Sequence, residues 1–244
     1  MGILSRAKPI NEIGRGKFVV VYGQSNTGKT VLSSTFPKPM LYLQIGDEGL
    51  DPVERDPNIK VVRLETAVEL KQVLDELNKE ETDYESVVVD TFSLYVNVWT
   101  HDNIISKNKR MTQQDWGNLK TDTEEIIRLA HKLAASKWVI LTCHEVSDAF
   151  EGLEGEIAPD IRPNVSKGVR TYLEGMANLG IHTCRMSKTK VVDGKEKTLV
   201  RYACHLGANE YYWTKVQTQK SIDIPAIVVN PSYEKLITIL NGGK

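Results

Sequence analysis

The stretch Gly23-Gln-Ser-Asn-Thr-Gly28-Lys29-Thr30 fits the phosphate-binding pattern G-x-x-x-x-G-K-[ST]. The apolar run Phe18-Val-Val-Val-Tyr22 precedes it, and the helix-compatible segment Val31-Leu-Ser-Ser-Thr35 follows it. The order of strand, glycine-containing loop and helix is the context in which this pattern becomes specific for phosphate. The sequence therefore predicts a nucleotide-binding loop between the first strand and the first helix.

The residue types of this stretch suit the binding of a nucleotide triphosphate. Gly23 and Gly28 permit the tight, partly left-handed backbone that turns successive N–H groups toward an anion. A helix that begins near Lys29 adds partial positive charge at its amino end. In this pattern Lys29 reaches the β- and γ-phosphates of ATP, with a catalytic effect, and the Thr30 hydroxyl holds Mg²⁺. The predicted nucleotide contacts are Gly23, Gln24, Ser25, Asn26, Thr27, Gly28, Lys29, Thr30 and Val31.

The bulk properties of the chain set limits on its class. Its 244 residues, with 41% apolar and 26% charged side chains, fit one α/β domain over residues 1–244. A net charge of −1 argues against a uniformly basic nucleic-acid binder but allows a local basic patch. We expect a cytoplasmic protein with no membrane contact, because there is no apolar run of spanning length and no signal region. Its three cysteines are then reduced, small apolar residues: Cys143, Cys184 and Cys204.

An acidic segment follows the second predicted strand, Met40–Ile45. The segment reads Gly46-Asp47-Glu48-Gly49, at the carboxyl end of a strand, where ligands bind in open α/β sheets. A carboxylate in this position can activate the water that attacks a γ-phosphate. We predict Glu48 in this catalytic role, with Asp47 as the alternative. If neither residue is catalytic, the segment is an ordinary solvated turn.

A further carboxylate ends the apolar run Ser86-Val-Val-Val-Asp90. An aspartate at the tip of a strand beside the phosphate loop holds Mg²⁺ through water in P-loop proteins. An isolated aspartate after a strand is otherwise a helix N-cap. The strand, the distance from Gly23 and the alternation of strands and helices favour the metal role for Asp90, together with Thr30.

The strand Trp138-Val-Ile-Leu-Thr142 ends on Cys143-His144-Glu145. A polar side chain at this tip would face the γ-phosphate and report the nucleotide state to the loop that follows. Thr142 and His144 are the candidates, and we prefer His144, because an imidazole can hydrogen-bond to phosphate or offset its charge. The alternative is a surface histidine just past a strand.

The second half of the chain contains a predicted loop and a predicted hairpin. Residues 146–168 carry glycines, prolines and carboxylates, which predicts a mobile connection with little regular structure. At the other end of the chain, residues 1–16 are predicted to form a polar lead-in to the first strand. Two strands, 179–186 and 198–206, are joined by a turn at Asp193-Gly194. The resulting hairpin, 184–206, is the most basic part of the chain, so we predict that it contacts nucleic acid or a neighbouring subunit. The alternative is that its lysines only protect an exposed strand edge from aggregation. Its basic residues are Arg185, Lys188, Lys190, Lys195, Lys197 and Arg201.

The ordered set of motifs resembles the RecA-type ATPase core. The run Leu43–Pro52 is similar to the acidic segment that follows the phosphate-loop helix in RecA. Gln114-Asp-Trp-Gly117, Leu141-Thr-Cys-His-Glu145 and the Asp-Gly hairpin resemble, more closely still, phage-encoded RecA-like nucleotide-binding proteins that act as single-strand annealing recombinases. This resemblance covers roughly residues 15–240.

The resemblance implies a fold, an activity and partners. The fold would be a RecA-like P-loop NTPase, α/β, with a mostly parallel central sheet flanked by helices and a C-terminal β-hairpin. The activity would be Mg²⁺-dependent ATP hydrolysis stimulated by single-stranded DNA, in phage recombination by annealing of complementary strands. The chain would form a homo-oligomer, a filament or a ring, with Lys215 reaching the γ-phosphate of the neighbouring subunit. A single-strand-binding protein is a possible further partner.

Three other functions are compatible with the same phosphate loop. A small-molecule kinase would need arginines on a lid, and Arg162 and Arg170 stand in or near the predicted loop. An ATPase that acts on a protein partner, such as a helicase loader or packaging accessory, would respond to that protein and not to DNA. A nucleotide-gated binding module would assemble with ATP and hydrolyse almost none.

Overall fold

Runs of valine, isoleucine and leucine form the central sheet, because β-branched side chains pack well on a pleated surface that is buried on both faces. The computed structural model describes residues 16–46, 50–151, 157–192, 195–218 and 222–243. All but Gly16 of the predicted lead-in therefore lies outside the described residues. The strands are β1 (Lys17–Tyr22), β2 (Met40–Ile45), β3 (Ile59–Leu64), β4 (Ser86–Asp90), β5 (Trp138–Cys143), β6 (Glu145–Glu151), β7 (Ile157–Pro163), β8 (Leu179–Val192), β9 (Lys195–His205), β10 (Lys215–Val216) and β11 (Ile227–Val229).

The main sheet has the strand order β11-β9-β8-β1-β5-β4-β2-β3, and β10 also pairs with β8. Neighbours from β8 to β3 run parallel, whereas β9, β10 and β11 join antiparallel. The carboxyl ends of β1, β4, β5 and β8 therefore meet at one edge of the sheet, where ligands bind in such folds. The predicted α/β class, with a mostly parallel sheet, is confirmed.

Helices cover both faces of the sheet. The side chain of Val20 in β1 belongs to the core on one face, beneath α2 to α5, whereas Val19 and Val21 belong to the core on the other. Leu32 of α1 and Leu236 of α6 complete this second core. The helices are α1 (Lys29–Ser33), α2 (Ala67–Lys79), α3 (Tyr95–Thr100), α4 (Gln113–Leu133), α5 (Lys167–Met176) and α6 (Tyr233–Leu240), and a 3₁₀ turn (Phe92–Leu94) and a π turn (His101–Ile105) flank α3.

Residues 146–168 contain regular structure, so the prediction of an irregular connection is wrong. β6 and β7 pair as an antiparallel hairpin outside the main sheet. The sequence concealed it because β7 carries Pro159 and Pro163, which are unusual in strands, and because β6 is interrupted by charged residues. Residues 152–156, between the two strands, lie outside the described residues.

The predicted C-terminal hairpin is present and is longer than the sequence indicated. β8 continues to Val192 and β9 begins at Lys195, so the paired ribbon extends well beyond the main sheet. Asp193 and Gly194, at the predicted turn, lie outside the described residues. In the described part of the chain, no helix is both long and apolar enough to cross a bilayer.

Candidate nucleotide-binding site

The phosphate loop joins β1 to α1 at the carboxyl edge of the sheet. Asn26 (φ 62°) and Gly28 (φ 93°) take the left-handed backbone that turns their N–H groups inward. A Cβ added at Gly23 would lie 2.4 Å from the carbonyl oxygen of Thr183 in β8, so this position requires glycine for close approach. The predicted need for glycine at both positions thus has a visible cause in each case.

Lys29 is the first residue of α1 and is buried, with only 6% of its surface exposed. Its ammonium group donates hydrogen bonds to the carbonyl oxygens of Gly23, at 3.0 Å, and Gln24, at 2.8 Å. The positive charge is therefore held inside the curve of the loop. A phosphate group entering the loop would meet it there.

Asp90 at the end of β4 is buried and is held by four hydroxyl groups. The hydroxyls of Thr30, at 3.1 Å, and Tyr42, at 2.9 Å, donate to its Oδ2. Those of Thr91, at 2.9 Å, and Thr142 donate to its Oδ1. The structure thus brings together the two residues predicted to hold Mg²⁺, Thr30 and Asp90.

A hydroxyl and a carboxylate side by side suit Mg²⁺, which keeps several of its waters and takes few protein oxygens. In the described residues no cluster of three or more His, Cys, Asp or Glu side chains offers a closed metal site. Tyr42, which was not predicted from the sequence, is a buried tyrosine in the strand next to β4. Burial and the charge of Asp90 raise its pKa well above the usual value, so it remains a hydrogen-bond donor.

A cleft of about 400 Å³ opens beside the second half of the phosphate loop, and we call it the loop cleft. Tyr202 of β9 forms one wall, and a Cβ at Gly28 would lie only 3.0 Å from its ring. Tyr202 was not predicted from the sequence, because it comes from a strand far along the chain. The lining residues are Ser25, Asn26, Gly28, Lys29, Thr30, Val31, Asp51, Pro52 and Tyr202.

The predicted water-activating residues, Asp47 and Glu48, lie outside the described residues. The preceding strand, β2, ends at Ile45, and in its register Gln44 pairs with Asp90. The end of β2 therefore lies directly beside the strand tip that carries Asp90. The catalytic role of Glu48 stays a prediction.

The two polar candidates at the tip of β5 differ in their surroundings. Thr142 is fully buried and donates to Asp90, so it belongs to the hydroxyl group around that carboxylate. His144 is half-buried; its backbone N–H donates to the Ser93 hydroxyl at 3.0 Å, and its carbonyl accepts from the Asn164 N–H at 2.8 Å. His144 is not among the residues that line the loop cleft, and its catalytic role stays a prediction.

Lys215 lies away from the phosphate loop of its own chain. Its ammonium donates to the carbonyl oxygens of Glu174 and Gly175 near the end of α5, each at 2.8 Å. Partial burial lowers its pKa from the usual lysine value. Reaching the nucleotide of a neighbouring subunit would require both hydrogen bonds to break, and this role also stays a prediction.

A second cleft, of about 530 Å³, lies between the phosphate loop and β8, and we call it the β8 cleft. It was not predicted from the sequence, since it forms where β6, β8 and residue 212 meet the loop. The lining residues are Gln24, Thr27, Glu145, Ile161, His182, Thr183, Cys184, Arg185, Ser187, Val200 and Tyr212.

The three cysteines are free thiols that differ in exposure. Burial raises the pKa of Cys143 and of Cys204 to about 12, and it also raises the pKa of the half-buried Cys184. A raised pKa leaves less thiolate at pH 8, and the alkylation of each thiol should become faster as the pH rises.

We expect iodoacetamide to add one adduct to the native protein, at Cys184, as seen by intact-mass measurement. The Cys184→Ser variant should carry no adduct until it is denatured. An adduct at Cys143 or Cys204 in the native protein would contradict the structure.

Fold and site together define a P-loop nucleotide-binding protein. A family model described as an AAA domain matches residues 15–210, so the chain belongs to this family and is a P-loop ATPase. Proteins of this class bind nucleotide, generally together with Mg²⁺. No curated protein matches the chain.

Two solved structures are similar to the chain at low sequence identity. The flagellar accessory protein FlaH from Methanocaldococcus jannaschii is 14% identical, with a TM-score of 0.40 over 90% of this chain and 92% of that chain. An ATPase from the type III secretion system of pathogenic bacteria is 13% identical, with a TM-score of 0.45 over 68% of this chain. The match spans about half of that ATPase, 51% of its chain.

Proposed function

We propose that this ATPase acts on single-stranded DNA and promotes annealing of complementary strands, as in phage recombination. The observation that carries the proposal is the ribbon formed by β8 and β9. In its register, positions 186, 188 and 190 pair with 201, 199 and 197. Alternation along paired strands puts these six positions on one face of the ribbon.

The composition of this face suits single-stranded nucleic acid. Four of the six positions are basic, namely Lys188, Lys190, Lys197 and Arg201, and two are apolar, Met186 and Leu199. Arg201 is exposed, and so are Met186 and Leu199, at 43% and 41%. A cluster of basic residues on one face is the electrostatic footprint of a protein that binds the nucleic-acid backbone.

The ribbon also reaches the nucleotide site, because Tyr202 of β9 forms the wall of the loop cleft. ATP would occupy this cleft, with its phosphates in the loop and Lys29 beside them. Thr30 and Asp90 would hold Mg²⁺, which offsets negative charge on the phosphates when bound. Glu48 would orient the attacking water and take its proton as the bond between the γ-phosphorus and the bridging oxygen breaks.

Three finer predictions belong to the same proposal. The chain would assemble as a filament or ring, in which Lys215 of one subunit reaches the nucleotide of the next. A single-strand-binding protein would present the DNA. The cytoplasm would be the site of action.

The test is steady-state ATP hydrolysis with and without single-stranded DNA, at low and at moderate salt. We expect DNA to stimulate hydrolysis and salt to weaken the effect steeply, because neutralised phosphates release counterions. Replacing Lys188 and Arg201 with glutamine should remove most of the stimulation and leave the DNA-free rate unchanged. The matched control is Arg128→Gln with Lys132→Gln, which removes the same charge from exposed positions on α4 and should keep the stimulation.

Unchanged hydrolysis on adding DNA would contradict the proposal. Stimulation by a protein instead would favour a partner-directed ATPase, and transfer of phosphate to a small molecule would favour a kinase. Both arginines considered for a kinase lid are paired with carboxylates: Arg162 with Asp160 and Glu174, and Arg170 with Asp148. ATP-dependent assembly without turnover would indicate a binding module.

A further inference from the structure

The phosphate loop is hydrogen-bonded to strand β8 on the side away from the loop cleft. The Thr183 hydroxyl of β8, which is 1% exposed, lies 2.7 Å from the Thr27 hydroxyl of the loop. The backbones are also in contact here, since a Cβ at Gly23 would lie 2.4 Å from the Thr183 carbonyl oxygen. Any displacement of the loop at Thr27 therefore acts directly on Thr183.

The two hydroxyls can share their protons in two ways. Thr27 Oγ1 lies 2.7 Å from the Gln24 carbonyl oxygen, and Thr183 Oγ1 lies 3.2 Å from that of Tyr22. Either Thr183 donates to Thr27 while Thr27 donates to Gln24, or Thr27 donates to Thr183 while Thr183 donates to Tyr22. Lys29 also donates to the Gln24 carbonyl. A phosphate that draws Lys29 away favours the first arrangement, because the Gln24 carbonyl then keeps the Thr27 hydroxyl as a donor.

His182, the preceding residue of β8, connects the strand to the β6–β7 hairpin. It is 3% exposed, and its Nε2 lies 2.8 Å from Oε2 of Glu145, the first residue of β6. Burial lowers the pKa of His182, which favours the neutral imidazole at neutral pH. A neutral ring must then carry its proton on Nε2 to donate to the carboxylate.

The return strand β7 meets the same histidine through Tyr212. The two rings are stacked, with centroids 4.1 Å apart and an interplanar angle of 16°. The neighbours of Tyr212 bond to β7: the Ile161 N–H donates to the Tyr211 carbonyl at 2.7 Å, and the Trp213 N–H donates to the Ile161 carbonyl at 3.1 Å. Both strands of the β6–β7 hairpin are therefore attached to His182.

We propose that Thr183 and His182 are positioning residues that couple nucleotide binding at the phosphate loop to the arrangement of the β6–β7 hairpin. The loop end of this connection is Thr27, and the hairpin end is Glu145. It runs along β8 and does not use His144, the sensor that the sequence favoured. The inference rests on the proposed function only in that a nucleotide occupies the loop.

Hydrogen–deuterium exchange of residues 145–151 and 157–163, with and without saturating AMP-PNP and Mg²⁺, tests the coupling. In the wild-type protein we expect nucleotide to change exchange in the hairpin by about tenfold, a usual size for coupling between two sites. Thr183→Val keeps the shape of the side chain and removes the hydroxyl. It should reduce the nucleotide-dependent change to less than about twofold. A merely structural loosening would instead raise exchange equally with and without nucleotide.

The matched control is Thr189→Val on the same strand. Thr189 is exposed, and its hydroxyl lies 3.4 Å from that of Thr198 on the ribbon. This variant should keep the full nucleotide-dependent change. Glu145→Ala should also abolish the nucleotide-dependent change in hairpin exchange, because it breaks the connection at its other end. The double variant with Thr183→Val should show no greater loss than either single variant, because both substitutions interrupt the same connection.

The outcomes separate the coupling from the proposed function. If fluorescent ATP fails to bind the wild-type protein, the proposed function is overturned, and the coupling with it. If nucleotide binds and hairpin exchange stays the same, the coupling is wrong and the ATPase function stands. A full nucleotide-dependent change in Thr183→Val would show that the connection does not run through β8.

Discussion

Replacing Lys29 with methionine is expected to lower the rate of ATP hydrolysis by about 10²–10³-fold, the usual cost of removing one preorganised charge-stabilising donor. Methionine keeps the apolar length of the side chain, so the buried position stays filled. The ammonium that donates to the carbonyls of Gly23 and Gln24 is lost, and with it the positive charge inside the loop. Steady-state hydrolysis and the binding of fluorescent ATP measure the two effects.

Lys17→Met is the matched control for this variant. Lys17 begins β1, and the strand runs from it to the phosphate loop, so the same charge is removed at the opposite edge of the sheet. We expect ordinary hydrolysis from Lys17→Met and similar thermal unfolding for both variants. If Lys29→Met retained both ATP binding and hydrolysis, the nucleotide site would be wrongly placed.

Asp90→Asn is expected to raise the Mg²⁺ concentration that supports half-maximal hydrolysis and to lower the maximal rate. Asparagine has a single acceptor oxygen, whereas the hydroxyls of Thr30, Tyr42, Thr91 and Thr142 now share two. Some of these buried hydroxyls lose their acceptor, which should cost about 1–3 kcal/mol of folding free energy. Mg²⁺ titrations of hydrolysis and denaturant unfolding measure the two effects.

Asp122→Asn provides a matched control for the loss of stability. Asp122 accepts a hydrogen bond from the indole N–H of Trp99 at 2.8 Å and lies on α4, away from the strand tips. This variant should lose some stability and keep its Mg²⁺ dependence. An Asp90→Asn protein with unaltered Mg²⁺ dependence would argue that Asp90 only holds hydroxyls and contributes nothing to the metal.

Much of the fold was predictable because its signals are local. The valine-rich strands β1 and β4 can each be identified from one short segment, and β2 has the predicted bounds, Met40–Ile45. The β6–β7 hairpin was not predictable, because β7 carries Pro159 and Pro163 and β6 is interrupted by charged residues, so neither strand shows a clear apolar alternation. The length of the β8–β9 ribbon was underestimated because described residues on both of its faces, such as Ser187 and Leu199, are exposed, so no buried face marks the strands in the sequence.

The sequence alone determined the phosphate loop and its partner aspartate. The G-x-x-x-x-G-K-[ST] pattern between a strand and a helix is specific for phosphate binding. Asp90 ends a second apolar strand, which the alternation of strands and helices puts in the same sheet. Parallel strands bring their carboxyl ends to one edge, so the meeting of Thr30 and Asp90 followed from the order of the elements.

Only the tertiary structure decided what surrounds that pair. Tyr42 reaches Asp90 from 48 residues away, and Thr183 meets Thr27 from 156 residues away. Such contacts depend on which strands are neighbours in the sheet, and strand order leaves no mark on the local sequence. The sequence therefore predicts the phosphate loop, Lys29 and Asp90. The placement of Tyr202 beside the loop cleft, the four hydroxyls around Asp90 and the connection to the β6–β7 hairpin arise only when distant strands pair.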